Sequence, residues 1–176
     1  PDDYRIVTKI VINITLPAAI INSFGSFQKD DSLFILVLLG LGCNMVMILI
    51  GYILSDKKGD KLRALYMLNL SGYNIGAFTL PFVQNFLGAF GVVAVCMFDI
   101  GNSISCTGGS YAVTSAVIGS GEKASFAQSI KKLFSSVPFV TYTGMLILAL
   151  LNIHIPKEII SLTSVIGAAN GFVSML

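Results

Sequence analysis

Long stretches without charge constrain this chain more than any other feature of its sequence. Residues 10–27, 33–54 and 62–118 contain two charged side chains between them, Arg63 near one end and Asp99. Such stretches hold runs of about 20 apolar residues, the length that an α-helix needs to cross a hydrocarbon core about 30 Å thick. Over the whole chain 11% of residues are charged, against about 25% in a soluble domain. We therefore predict an all-α integral membrane fold.

Short polar or glycine-rich joints divide the apolar sequence into six predicted transmembrane helices. Their bounds are about 5–27, 33–54, 65–87, 89–118, 133–153 and 159–176. Short joints favour antiparallel neighbours. The sequence opens without Met and ends within an apolar segment, so we expect the chain to be part of something longer.

Basic residues are unevenly divided between the two sides that antiparallel helices define. Nine fall on one side and two on the other. The nine are Arg5, Lys9, Lys57, Lys58, Lys61, Arg63, Lys123, Lys131 and Lys132, and the two are Lys29 and Lys157. Loops rich in Lys and Arg stay in the cytoplasm, so the N-terminus and the joints at 55–61 and 119–132 are predicted to face inward. The expected location is the plasma (inner) membrane, as a multi-pass protein.

The third predicted helix carries residues that break helices. Gly72 and Gly76 lower helix stability, and Pro81 removes a backbone donor and clashes with the preceding turn. Together they predict a break near mid-membrane. Broken backbone at that depth is tolerated where it is buried in protein or lines a cavity. The N–H groups that a break frees carry partial positive charge, which suits an anion.

Polar side chains lie around the same point of the sequence. Asn74, Thr79 and Gln84 place amide and hydroxyl groups beside Pro81. We therefore predict a substrate-binding set of Asn74, Thr79, Pro81 and Gln84. The alternative is a proline kink that serves packing alone, because Pro and Gly are common in membrane helices.

The fourth predicted helix contains an acidic residue about 15 Å deep, since Asp99 lies roughly ten residues from the outer joint. Asp99, Asn102 and Ser103 share one helical face by their spacing. An ionisable residue at that depth is costly and marks function by default. We predict a coupling or polar site at Asp99, Asn102 and Ser103, where the carboxylate holds a proton or a cation. The alternative is a protonated or hydrogen-bonded Asp used for packing.

Other chemistries find little support in the sequence. The three cysteines, Cys43, Cys96 and Cys106, lie in apolar spans without CxxC spacing and are interpreted as core residues. No metal site, cofactor or catalytic residue is predicted, because HExxH, GxSxG and paired-aspartate motifs are lacking. A net charge of +2 is too small and scattered for nucleic-acid binding.

Several motifs, taken in order, resemble the auxin efflux carrier family, which includes plant PIN-type carriers and bacterial permeases. They are Leu16-Pro17 with Asn22, Asn74-Ile-Gly76 with Leu80-Pro81, Gly88 and Gly91, Phe98-Asp99-Ile-Gly101-Asn102, Val137-Pro138 with Gly144, Ile155-Pro156, and the segment 167–176. One departure is Asn170-Gly171, where bacterial members often have proline. The resemblance covers nearly the whole chain, and the order and spacing of its motifs carry it.

The resemblance implies a ten-helix transporter of two inverted five-helix repeats, with a broken crossover helix in each. This chain would hold helices two to seven. Residues 5–27 and 133–176 would be scaffold-type helices, and 33–118 transport-type helices. Asn74 would contact substrate and Pro81 would lie at the crossover.

The function that follows is secondary active transport of small organic anions such as carboxylates, by alternating access around the broken helix. Either H⁺ or Na⁺ would be the coupling ion. The expected partners are membrane lipid and the anion, and a homodimer is left open. Two alternatives stand beside this hypothesis: a sodium-coupled symporter of bile-acid type, and a membrane ligand sensor that moves nothing.

Overall fold

The computed structural model describes residues 3–25, 31–119 and 126–174, and within these ranges the ordered elements are helices and no strand forms. The α-helices are α1 (Asp3–Ile10), α2 (Leu16–Gly25), α3 (Phe34–Leu54), α4 (Asp60–Leu70), α5 (Leu80–Ile104), α6 (Ser110–Ile118), α7 (Phe126–Ser135), α8 (Val137–Leu150) and α9 (Lys157–Val173). Three segments are π-helical, namely Val11–Thr15, Ile75–Thr79 and Ser105–Gly109, and Asp31–Leu33 is a 3₁₀ turn. The all-α prediction is confirmed.

Three of the described helices are long and apolar enough to cross a membrane. They are Tyr4–Gly25, Phe34–Leu54 and Leu80–Ile118, and the bent pair α7 and α8 makes a fourth if it counts as one span. Large apolar side chains stay exposed, with Leu38 at 69% and Phe78 at 75%. Lipid can cover such side chains, whereas contiguous apolar surface is rare on soluble monomers.

The predicted spans and the observed helices differ most where glycine and proline interrupt the chain. The predicted helix 65–87 is two helices, because α4 ends at Leu70 and the next helical turn begins at Ile75. Gly88, which we predicted to be a joint, interrupts α5 with a left-handed φ of 63°. The predicted span 133–153 begins inside α7, and α8 starts only at Val137. Proline next to this start suits a first helical turn, where its missing N–H is not needed.

Two of the π-helical segments end at the first residue of the same tripeptide, Thr-Leu-Pro, at residues 15–17 and 79–81. In the first, the N–H of Leu16 donates to the carbonyl of Val11, and in the second Thr79 donates to Asn74 at 3.4 Å. Both are bonds over five residues. Proline cannot supply the usual bond over four residues, so the helix widens by one residue just before it. The proline at 81 therefore widens a helix, and the break lies upstream of it.

Contacts divide the chain into two compact units. Unit 1 comprises Pro1–Leu33, Asn74–Met97 and Ser136–Leu176. Its α2 packs on α8 and α9, and its two π-helical segments pack on each other. At the α2–α9 crossing a Cβ on Gly167 would lie 2.7 Å from the backbone of Ala19, so the two backbones meet without side chains between them. Leu16, Ile20 and Tyr142 are at most 1% exposed and form the core.

Unit 2 comprises Phe34–Tyr73 and Phe98–Ser135. Here α3 packs on α4, and α4 packs on α6. Glycines again permit close approach, since a Cβ on Gly51 would lie 2.8 Å from the carbonyl oxygen of Tyr66. The functional division into scaffold-type and transport-type helices stays a prediction. By contact, the segment Asn74–Met97 groups with α2, α8 and α9.

Candidate functional site

The helical path is lost at Ser71–Asn74, between α4 and the π-helical turn at Ile75. Ser71 is extended, with ψ of 153°, and Gly72 has a φ of +91°. A left-handed φ is costly for residues that carry a Cβ, which explains glycine at this point. The predicted break therefore exists, and Gly72 rather than Pro81 lies at its centre.

Buried amide side chains bind the backbone of this break. The N–H of Gly72 donates to Oδ1 of Asn44 at 2.6 Å, and the N–H of Tyr73 donates to Oδ1 of Asn102 at 3.0 Å. In return Asn102 Nδ2 donates to the carbonyl of Tyr73 at 2.9 Å. Non-helical backbone in an apolar setting needs such partners, because an unpaired buried group costs about 1–3 kcal/mol.

Asp99 belongs to the same group of residues. It is 9% exposed, and its Oδ1 accepts a hydrogen bond of 2.8 Å from Nδ2 of Asn102. Asn102 thus joins the carboxylate to the backbone of Tyr73. We name Asn44, Gly72, Tyr73, Asp99 and Asn102 the amide cluster. All five lie in unit 2.

Of the predicted polar face, Asp99 and Asn102 enter the amide cluster. Cys106 follows one turn later, and its Sγ donates to Oδ1 of Asn102 at 3.4 Å. The backbone carbonyl of Ser103 accepts a hydrogen bond of 2.6 Å from the Thr107 hydroxyl. The role predicted for Ser103 stays a prediction.

Sequence reasoning missed Asn44, which is fully buried in α3 and bonds both Gly72 and Asn102. A signal was present, because Asn44 is the one amide in the otherwise apolar helix Phe34–Leu54. Polar side chains in membrane helices commonly hydrogen-bond across to a neighbouring helix.

Two glycines bring α3 close enough for these bonds. A Cβ on Gly40 would collide with the carbonyl oxygen of Phe98, and a Cβ on Gly101 would collide with that of Val37. The backbones of α3 and α5 therefore touch each other at these glycines, as small residues allow in membranes. This contact sets the distance from Asn44 to Asn102, 3.2 Å between Nδ2 and Oδ1.

The predicted substrate-binding residues divide into two groups. Asn74 directly follows Tyr73 and is exposed, and its carbonyl accepts 3.4 Å contacts from both the N–H and the Oγ1 of Thr79. Asn74 and Thr79 thus bracket the first turn after the break, and Pro81 is buried just beyond. Gln84 faces elsewhere.

Gln84 takes part in a second polar group, inside unit 1. Its Nε2 donates to the carbonyl of Gly167 at 2.8 Å, and its Oε1 accepts from Nδ2 of Asn170 at 3.0 Å. Asn170 is fully buried and also accepts from the Thr15 hydroxyl at 3.0 Å. Both ends of the Gln84 amide are engaged with α9, so it is placed for packing. Helix α9 continues without interruption through Asn170 and Gly171.

The amide cluster offers one carboxylate and several amide and backbone dipoles. Within the described ranges, no three His, Cys, Asp or Glu residues lie close enough to hold a metal ion. The sequence has no Lys or Arg between residues 64 and 122.

No protein-family model, curated protein or solved structure matches this chain.

Proposed function

We propose that this chain is part of a secondary active transporter of small organic anions. The observation that carries the proposal is the break at Ser71–Asn74, whose backbone is bound by the buried side chains of Asn44 and Asn102. Breaking a helix inside an apolar sequence costs hydrogen bonds, and such breaks are tolerated where they are buried in protein or line a cavity. Transporters use them to present backbone dipoles to substrate near the membrane midplane.

The proposed architecture has six of the ten helices that the resemblance implies, in a multi-pass protein of the plasma membrane. The length of one helix supports more than three membrane crossings. Leu80–Ile118 contains 39 residues, which is about 58 Å at 1.5 Å per residue, twice the hydrocarbon thickness. The left-handed Gly88 is the natural place for the chain to turn within it.

The substrate carboxylate is proposed to bind at the first turn after the break. The first N–H groups of a helix have no partner within that helix and carry partial positive charge. Asn74 and Thr79 add an amide and a hydroxyl at the two ends of this turn. Dipoles without a full counter-charge bind an anion loosely enough to release it, which a carrier requires.

Asp99 is proposed to couple transport to an ion gradient. Through Asn102 its carboxylate is hydrogen-bonded to the backbone of Tyr73, the residue directly before Asn74. Binding of H⁺ or Na⁺ would change the charge at Asp99 and so the hydrogen bonds that Asn102 makes. Replacing Asp99 with Asn, which cannot change its charge, should leave substrate exchange but abolish uptake against a gradient.

The test is uptake of labelled malonate and malate into proteoliposomes that contain the intact protein, with a proton gradient, a sodium gradient or neither. We expect gradient-driven uptake that Asn74→Ala reduces. Asn69→Ala is the matched control, because Asn69 is exposed and its amide donates within its own helix, to Leu65. Equal uptake by Asn74→Ala and the wild type would refute the assigned site. Strict sodium dependence would favour the bile-acid type of symporter, and ligand-induced thermal stabilisation without flux would favour the sensor.

A further inference from the structure

Helix α7, Phe126–Ser135, has one apolar and one polar face. Ile130, Leu133 and Phe134 recur at the i, i+3, i+4 spacing of one helical face. Gln128, Lys131, Lys132 and Ser135 recur at i, i+3, i+4, i+7 and form the opposite face. With ten residues the helix is about 15 Å long, which is half of what a membrane crossing requires.

The apolar face of α7 is largely exposed. Phe134 is 64% exposed and Ile130 is 38% exposed. Lys131 and Lys132 are exposed as well. Helix α7 packs on the π-helical segment Ser105–Gly109, where Oγ of Ser129 lies so close to Gly108 that a Cβ there would collide with it. Side chains of both faces of α7 nevertheless remain exposed.

The depth of α7 follows from the packing inside unit 2. Asn44 is the midpoint of α3, which spans Phe34–Leu54, and it bonds to Asn102. Gly108 lies six residues beyond Asn102, which is at most about 9 Å at 1.5 Å per residue, because the stretch includes residues of the π-helical segment Ser105–Gly109. The hydrocarbon boundary is about 15 Å from the midplane. With the middle of α3 at the midplane, Ser129 would lie at least about 6 Å inside this boundary, and helices that lie along a membrane surface bury their apolar face about 5–10 Å.

We infer that α7 lies in the membrane interface and binds anionic phospholipids of the cytoplasmic leaflet. Phe134 and Ile130 enter the acyl region, and Lys131 and Lys132 extend their aliphatic stems so that the ammonium groups meet lipid phosphates. The side agrees with the distribution of basic residues, which predicts that the joint at 119–132 faces the cytoplasm.

A lipid surface fits α7 better than a protein partner does. A stable protein interface takes about 20–30 residues a side, whereas α7 has ten. Paired lysines beside a small apolar face match a phosphate layer above acyl chains. The contact with Gly108 also places the helix next to segment Ser105–Gly109, which begins directly after the helix that carries Asp99 and Asn102.

The first test compares two double variants of the intact protein in detergent. Lys131→Gln with Lys132→Gln removes the proposed phosphate contacts. Lys57→Gln with Lys61→Gln is the control, because it removes the same charge from exposed lysines after the end of α3. In titrations with phosphatidylglycerol, followed by native mass spectrometry, the first variant should bind about thirty-fold more weakly than wild type. The control, whose lysines also lie on the predicted cytoplasmic side, should lose clearly less affinity than the first variant, and phosphatidylcholine should not distinguish the proteins. Equal losses in both variants would overturn the assignment to α7.

The second test uses the fact that the chain has no tryptophan. Phe134→Trp adds a reporter to the apolar face and Gln128→Trp adds one to the polar face, and each signal is taken as the difference from the unsubstituted protein. In liposomes with brominated phospholipids, Trp at position 134 should be quenched, most strongly by bromine near the headgroup. Trp at 128 should emit as if in water. An unquenched, water-like signal from position 134 would contradict membrane contact, and quenching strongest at the bilayer centre would replace the interfacial helix with a crossing one.

Discussion

Replacing Asn44 with Ala tests whether the broken backbone depends on buried amides. The change removes the acceptor of the Gly72 N–H, a bond of 2.6 Å, and the donor to Asn102. Gly72 is exposed and its hydrogen bond to Asn44 is part-buried, so the orphaned N–H costs about 1 kcal/mol, the lower end of the range for buried groups. Interhelical hydrogen bonds in membranes are worth about 0.6 kcal/mol on average, and the higher helix propensity of Ala offsets about the same amount. We therefore expect the free energy of unfolding to fall by about 1 kcal/mol.

The assay is reversible unfolding of the intact protein in mixed micelles by titration with dodecyl sulfate. Asn69→Ala is the control, since its amide is exposed and bonds Leu65 of its own helix, and such surface changes stay within about 0.5 kcal/mol. If Asn44→Ala matched this control, the amide would not be holding the break. A loss larger in Asn69→Ala than in Asn44→Ala would refute the reasoning outright.

Three further predictions use the same unfolding titration. Gly40→Ala should cost about 1–3 kcal/mol through collision with the facing backbone, while Gly42→Ala, which meets open space, should be neutral or slightly stabilising. Gly72→Ala should cost about 1–2 kcal/mol because of its left-handed φ, and Gly59→Ala, with φ of −62°, should cost less. Gln84→Ala should cost about 1–3 kcal/mol, and uptake assays should show an unchanged KM for the anion.

The sequence predicts those parts of the fold that depend on local composition. Uncharged runs located α3 to within a residue of its observed bounds, Phe34–Leu54. An apolar run long enough to cross a membrane can be recognised directly in the sequence, without knowing which helices pack together. Glycine located the break and the kink at Gly88, because a left-handed φ excludes most other residues. Pro81 was assigned too strong an effect, since a π-helical turn absorbs a missing N–H without ending the helix.

Partner residues could not be predicted, because they depend on which helices meet. Asn44 and Asn170 are each fully buried, and each bonds a residue more than 50 positions away. Gln84 looked like part of the break by its position in the sequence, yet its amide faces α9. The helix α7 was interpreted as a joint and the start of a span, because ten residues are too few to stand out in an apolar sequence.

The side chain of Asn102 stands in for a peptide group. By accepting from the N–H of Tyr73 and donating to its carbonyl, it copies one rung of a β-ladder for a residue that has left its helix. An amide on a single methylene can do both at once. Aspartate lacks the donor, serine is too short, and glutamine would have to fold back upon itself. Few side chains could therefore replace Asn102, just as few can replace a residue that binds a ligand, although what Asn102 binds is the protein's own backbone.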